Sequence, residues 1–352
     1  MRFRFRHLFG IADFRRIWAG MIFAQLADRL TQMILIGIVA SRFPGSSLAL
    51  AKITAFSLIP AFLVSPLAGA YVDRWDRRKT MLVCDLARCF FILSFLVVIG
   101  WPTLTLLYGL VFLLFGVSCF FLPARMALMP ALVPEESFVA ANSLMTTSMI
   151  IGAALSVFLG GLLVERMGIA FSCLVVAVSY LASAGCVLGI THRVPQDATA
   201  VPKASAIFGE IWEGVRYAFG RAHSLFVLGV TFLLMAAAGA VFVISTVMVQ
   251  TAMGTLTEHI GFLSLTGGAG FLLGGLLYGR YGQQWYKPAM IAWCFLGVGV
   301  AMAIFGWAVA IQKSFNLALV GSVLIGVVAA PVGIAVNAMI HELIPDQMWG
   351  RI

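Results

Sequence analysis

Asp28, Asp85 and Arg88 are ionisable side chains set inside long apolar runs, and with Arg29 they are where this chain could move charge. Asp28 and Arg29 lie near the middle of the first run. A charge at that depth in a bilayer costs on the order of 2.5–3.5 kcal/mol, so each should face a bundle interior or a wet cavity. Asp28 is then a candidate proton carrier or a contact for a cationic substrate. The alternative is a fixed ion pair with a neighbouring helix, Asp28 with Arg88 or Arg29 with Asp85. Neighbouring residues on a helix point about 100° apart, so Asp28 and Arg29 do not simply neutralise each other. For Arg29 the fixed pair is the preferred reading. Asp85 and Arg88 are three apart and share one helix face. Grouped with Arg125 and nearby loop charges they would form an intracellular gate, or merely anchor a helix end. Gate and anchor differ in whether the pair breaks during a cycle. Gln25 and Asn142 are weaker candidates for substrate hydrogen bonds.

A second group is Gly69-Ala-Tyr-Val-Asp73-Arg74-Trp-Asp76-Arg77-Arg78-Lys79, in which two acids and four bases crowd into residues 73–79. The cluster follows some twenty apolar residues directly and cannot lie in hydrocarbon. It therefore marks a membrane boundary, and its excess of bases marks that boundary as cytoplasmic.

The elements that position these residues are membrane helices. The chain has 352 residues, is 62% hydrophobic and only 11% charged, with a mean hydropathy of +1.03. A soluble domain of this length could not bury so much apolar surface, whereas lipid can solvate it. The net charge of +9 does not indicate a nucleic-acid partner, because the bases sit in short segments between apolar runs. The six cysteines all fall in apolar runs. None makes a C-x-x-C pair and no histidine stands at ligand spacing, so neither disulfides, nor a metal site, nor a cofactor is expected. No nucleophile–base arrangement points to an enzyme.

At about 20 apolar residues per crossing, spans fall near 17–41, 48–72, 80–100, 103–127, 137–164, 169–190, 225–250, 258–279, 288–311 and 314–340. The breaks between them carry turn chemistry, as at Pro44-Gly45, Met167-Gly168 and Lys287-Pro288. With the N-terminus inside, seventeen Lys and Arg residues lie on the cytoplasmic side and four opposite. Phe3, Phe5, Leu8 and Phe9 between arginines suggest a segment on the membrane surface. The long polar segment 191–224 has apolar residues at helical spacing in its second part, expected as an amphipathic surface helix. It divides the chain into an N-terminal six-helix bundle, 1–190, and a C-terminal bundle, 225–352.

The halves resemble each other. Ala127-Leu-Met-Pro-Ala-Leu-Val-Pro134 aligns with Ala338-Met-Ile-His-Glu-Leu-Ile-Pro345, and Gly69 to Trp75 with Gly275 to Tyr281. Parallel repeats of helices are a transporter architecture. By that symmetry about two further helices are expected after Pro345, so the chain reads as C-terminally truncated relative to twelve helices. The glycine runs Gly267-Gly-Ala-Gly270 and Gly274-Gly275 fall inside a span and read as packing surfaces.

Gly69-x-x-x-Asp73-Arg74-x-x-Arg77-Arg78 resembles the loop motif between the second and third helices of the major facilitator superfamily. Phe14-Arg15-Arg16-x-Trp18, Gln25-Leu-Ala-Asp28, Pro66-x-x-Gly69, Asp85-x-x-Arg88 and Pro123-x-Arg125 look like its macrolide and siderophore efflux branch, with lysophospholipid transporters close by. Asp76 stands where the superfamily pattern usually has glycine. Gly152 with Gly160-Gly161 only loosely resembles the antiporter motif and lacks its proline. The resemblance implies an all-α, two-bundle fold, with about ten of twelve helices present. It implies that Asp73 docks on the N-terminus of an eleventh helix and holds the outward-open state.

The chain thus reads as a monomeric secondary transporter of a bacterial inner membrane, exporting an amphipathic small molecule in exchange for protons by alternating access. A lysophospholipid flippase and a non-transporting membrane protein are the alternatives. Its partners would be substrate, protons and the lipid bilayer.

Overall fold

The computed structural model describes residues 8–72, 74–100, 105–191, 222–282 and 287–343. These are almost wholly helical, and no strand occurs among them. The chain divides into two compact units, Met1–Ile207 and Phe208–Ile352. The division falls inside the polar segment expected between the halves. The amphipathic helix expected there lies outside the described residues, as do the arginines of the N-terminal segment.

In the first unit α1 (Ala12–Arg42) is followed by α2 (Ser47–Leu63) and α3 (Ser65–Val72). Then come α4 (Arg77–Val98), α5 (Thr105–Leu132) and the long α6 (Phe138–Leu188). The apolar run at 48–72 is therefore two helices rather than one. Its interruption at Val64 has a local cause, since Pro66 has no N–H to return to the carbonyl four residues back. Val64 N still donates to the Pro60 carbonyl at 2.7 Å, so the chain bends rather than turns.

α6 holds both the fifth and the sixth expected spans. Gly168, at φ 81° and ψ 168°, separates them. That conformation is essentially confined to glycine, so one residue turns the chain between two crossings. α1 packs lengthwise on both halves of α6. It runs parallel to the first half, where Trp18 Nε1 donates to Ser148 Oγ at 3.0 Å. A Cβ on Gly160 would meet Met33 Cγ at 3.0 Å. It runs antiparallel to the second half, where Thr191 N and Oγ1 donate to the Asp13 carboxylate at 3.1 and 2.9 Å. A Cβ on Gly20 would meet Cys186 Cβ at 3.3 Å. Small residues let these backbones close up where lipid supplies no hydrophobic drive between helices.

The second unit contains α7 (Ala222–Met253), α8 (Glu258–Leu277), a π turn at Tyr278–Gly282, α9 (Lys287–Ala310) and α10 (Phe315–Leu343). α10 packs against both α8 and α9. The glycine runs are the α8–α10 contact: a Cβ on Gly270 or Gly274 would strike the carbonyls of Val323 or Val327. Beside them Thr266 Oγ1 and Ser322 Oγ share a hydrogen bond of 2.6 Å, giving two hydroxyls a partner in an apolar contact. Among the described residues, seven helices are long and apolar enough to cross a membrane, the doubled α6 counted once, with shorter apolar helices at Ser47–Leu63 and Ala238–Met253.

Candidate functional site

Arg88 organises the charges of the first unit. It sits one turn after Asp85 on α4, and both side chains are fully shielded from solvent. A guanidinium taken out of water is tolerated only if its donors are used and a counter-charge is close. Here Nη2 donates to Asp85 Oδ1, Nη1 to Asp28 Oδ1 at 3.2 Å, and Nε to the Cys84 carbonyl at 3.4 Å. Phe121 and Tyr180 place their rings 4.3 and 4.8 Å from the guanidinium carbon. Both distances suit cation–π attraction, which strengthens in a desolvated site.

The acids are satisfied from the second half of α6. Ser183 Oγ donates to Asp85 Oδ2 at 2.6 Å, and the Tyr180 hydroxyl donates to Asp28 Oδ1 at 2.8 Å. Tyr180 and Ser183 are three apart and face the same way on their helix. Three helices thus meet in one network: α1 through Asp28, α4 through Asp85 and Arg88, and α6 through Tyr180 and Ser183. Among the described residues, no buried side-chain nitrogen or oxygen lacks a hydrogen-bond partner. The two carboxylates differ in access, Asp85 being closed off while the Asp28 side chain is 36% exposed. Two acids on one guanidinium leave a negative charge, which a proton, a cationic group or a further arginine can balance.

Of the expected pairings, Asp28 with Arg88 is present. Arg29 with Asp85 is not: Arg29 Nη1 instead donates to Gln32 Oε1 at 3.1 Å along its own helix. The angular offset between successive helical residues explains this, because it turns Arg29 away once Asp28 faces α4. The expected cluster of Asp85, Arg88 and Arg125 is also corrected. Arg125 Nη2 lies 3.3 Å from Met149 Sδ, and among the described residues the salt bridges of Arg88 run only to Asp28 and Asp85. Gln25 Nε2 donates to the Met149 carbonyl, so Gln25 and Arg125 converge on one residue of α6. Asn142 is exposed.

The loop bases do not reach this network either. Arg77 Nη1 donates to the Ala127 carbonyl at 2.8 Å. Arg78 donates through Nε and Nη2 to the carbonyls of Val187 and Leu188 at 3.1 and 2.5 Å. Val187 and Leu188 lie in the last turn of α6, where backbone acceptors lack intrahelical donors and the helix dipole favours cations. Asp76 caps α4, its Oδ1 accepting from Lys79 N at 3.1 Å, a role glycine in that place could not fill. Gly69 has open space where a Cβ would stand. Arg74 is half-buried at the end of the loop. Asp73 lies outside the described residues.

Tyr180 and Ser183 carry half of the network's hydrogen bonds to the acids, and sequence reasoning passed over them. The available signal was a phenol and a hydroxyl at i, i+3 in a span whose neighbours need donors.

Bundled apolar helices around a charged, hydrogen-bonded network describe a multi-span membrane transport protein. The chain matches the Major Facilitator Superfamily over residues 17–352 and belongs to that family of transporters, not to an enzyme family. The Multidrug efflux pump Tap of Mycolicibacterium fortuitum is 24% identical over 332 residues, covering 88% of this chain and 76% of the relative. Macrolide efflux protein A of Streptococcus pyogenes is 23% identical over 346 residues, covering 96% and 83%. Among solved structures, a bacterial homologue of the lysosomal transporter Spinster superposes with a TM-score of 0.68 at 14% identity, covering 93% of this chain and 76% of that one. A bacterial homologue of the iron transporter ferroportin gives 0.65 at 16%, covering 96% and 86%. At these identities the superpositions establish the fold.

Proposed function

We propose that this chain exports amphipathic small molecules across a bacterial plasma membrane by proton antiport with alternating access, its N-terminus cytoplasmic. The observation that carries the reading is the asymmetry of the two acids on Arg88. Asp85 is sealed between Arg88 and Ser183, while Asp28 holds the same guanidinium and remains 36% exposed. A partly exposed carboxylate can exchange protons with water. Its protonation removes the negative partner of Arg88 Nη1 and loosens α1 from α4.

Arg88 and Tyr180 face Asp28 from α4 and α6. Arg125 on α5 is near enough to feel its charge. In this reading Asp28 carries the proton, and Asp85–Arg88 is the pair whose rearrangement gates the cytoplasmic side. Arg77 and Arg78 tie the Gly69–Lys79 loop to α5 and to the end of α6, and Gln25 with Arg29 borders the path. Similarity to multidrug and macrolide efflux proteins supports amphipathic cargo and the outward direction. The monomer is taken as the working unit.

The test is flux in proteoliposomes with an imposed pH gradient, over a panel of amphipathic compounds that includes macrolides. Wild-type chain should move at least one of them against its gradient, and Asp28→Asn should insert normally but lose proton-driven flux. Undiminished flux in Asp28→Asn overturns the assignment of Asp28. Flux indifferent to the pH gradient overturns antiport.

A further inference from the structure

Away from the charge network, a cavity of about 600 Å³ opens where the Gly69–Lys79 loop meets α4 and α5. Its polar end carries Arg74, Asp76 and Lys79, and its apolar wall carries Val83, Val117 and Phe120. Among the described lining residues two bases stand with one acid, Asp76, whose Oδ1 caps the first turn of α4. Arg77 and Arg78 bind the Ala127 and Val187 carbonyls of α5 and α6. The loop thus directs two of its four bases at the bundle and two at this cavity. Trp75, 45% exposed, stacks on Phe120 with ring centroids 5.9 Å apart and closes one side. An amphipathic ring at such a boundary is typical of the membrane interface.

The apolar wall does not stop at the cavity. Along α4 it continues through Val83, Leu86 and Phe90, which are 61%, 47% and 66% exposed. Along α5 it continues from Phe120 and Val117 to Leu113, which is 48% exposed. The intervals of three and four residues keep each set on one helix face. Seven residues of helix cover about 10 Å, so an outward-facing furrow runs from a basic mouth into the hydrocarbon. A small soluble anion would have no use for the furrow, and a neutral hydrocarbon none for Arg74 and Lys79.

We propose that this furrow binds an anionic phospholipid of the leaflet bordered by the Gly69–Lys79 loop. The phosphodiester lies between Arg74 and Lys79 under the edge of Trp75, and one acyl chain lies along Val83 and Val117. Basic pockets between membrane helices favour such headgroups by charge, and the adjacent apolar stripe adds chain contact that a free phosphate lacks. The inference needs only the membrane placement of the chain. Antiport could fail without touching it.

Native mass spectrometry of the full chain in detergent tests it with three probes: phosphatidylglycerol, phosphatidylcholine and glycerol phosphate. Phosphatidylglycerol should be retained over phosphatidylcholine on the order of tenfold, and Arg74→Gln with Lys79→Gln should abolish the preference. Equal retention of the two lipids, or a preference that survives the double substitution, overturns the proposal. Glycerol phosphate binding as well as phosphatidylglycerol overturns the lipid assignment and leaves a simple anion site. A photo-crosslinking residue at Val83, in an otherwise unchanged chain, gives a readout free of any charge substitution. It should capture phosphatidylglycerol preferentially, and equal capture of phosphatidylcholine counts against the site.

Discussion

Arg88 Nη1 stands 3.2 Å from Asp28 Oδ1, a contact that spans 60 residues of sequence and joins α4 to α1. The same guanidinium holds Asp85 on its own helix and lies against the rings of Phe121 and Tyr180. It is a cation serving two acids of different exposure. Stability and any coupling between helices therefore converge on it.

Truncating Arg88 leaves Asp85 buried without its counter-charge. Arg88→Ala should cost about 3–5 kcal/mol, the usual penalty for orphaning a buried charge. Arg88→Met combined with Asp85→Asn removes both charges and should recover much of that loss. Tyr180→Phe removes the hydrogen bond that the phenol donates to a charged acceptor and should cost about 1.5–3 kcal/mol. Thermal melting of detergent-solubilised chain ranks the variants. A double variant no more stable than Arg88→Ala would show that Asp85 does not depend on Arg88.

The α8–α10 contact makes a sharper distinction between the two glycine runs of α8. A Cβ on Gly270 would collide with the Val323 carbonyl, and backbone there has little freedom to yield. A Cβ on Gly275 would meet only Ile334 Cδ1 at 3.6 Å, an ordinary contact. Gly270→Ala should therefore destabilise the second unit by about 1–3 kcal/mol, while Gly275→Ala should be tolerated. Size-exclusion recovery and melting temperature compare the two, and equal behaviour would contradict the packing described.

At Gly168 the constraint is conformational rather than steric. No heavy atom lies within 4 Å of the position a Cβ would take, yet φ is 81°. Gly168→Ala should cost about 1–3 kcal/mol from backbone strain alone. Gly185→Ala, equally unobstructed and in regular helix, is the matched control. It should be neutral or mildly stabilising, because alanine is the better helix former. The paired melting curves isolate the effect of φ.

Arg78 holds two successive carbonyls with two nitrogens of one planar group. Arg78→Gln should loosen the end of α6, and Arg78→Lys should restore the charge but not both bonds, since an ammonium lacks the fork geometry. Hydrogen exchange at residues 185–191 reads the loosening directly. Full protection in Arg78→Lys would assign the effect to charge alone.

The apolar runs were enough to place the helices, because in lipid a chain must satisfy its own backbone and a span has a minimum length. Positional chemistry also carried through: Gly168 falls where Met167-Gly168 marked a turn, and the α8 glycines lie in a helix contact. The split of 48–72 into α2 and α3 was less readable. A proline in a membrane helix is compatible with a kink or with a break, and which one follows depends on how the neighbouring helices take up the freed carbonyl.

Among the ionisable residues, apolar context alone marked Asp28, Asp85 and Arg88 as needing partners, since solvation energies do not depend on knowing the fold. Which partners they found was a tertiary matter. Asp28 and Arg29 are equally charged and equally deep, but only one can face α4 once α1 has settled against α6, and that rotation is set by Gly20 and Gly160 allowing close approach. The same packing set Arg125 against Met149, without a salt bridge to the acids among the described residues, and brought in Tyr180 and Ser183, ordinary residues in an apolar run until the helices meet. Burial cost is local and written in composition. Pairing depends on helix azimuth, and azimuth is decided only by the whole bundle.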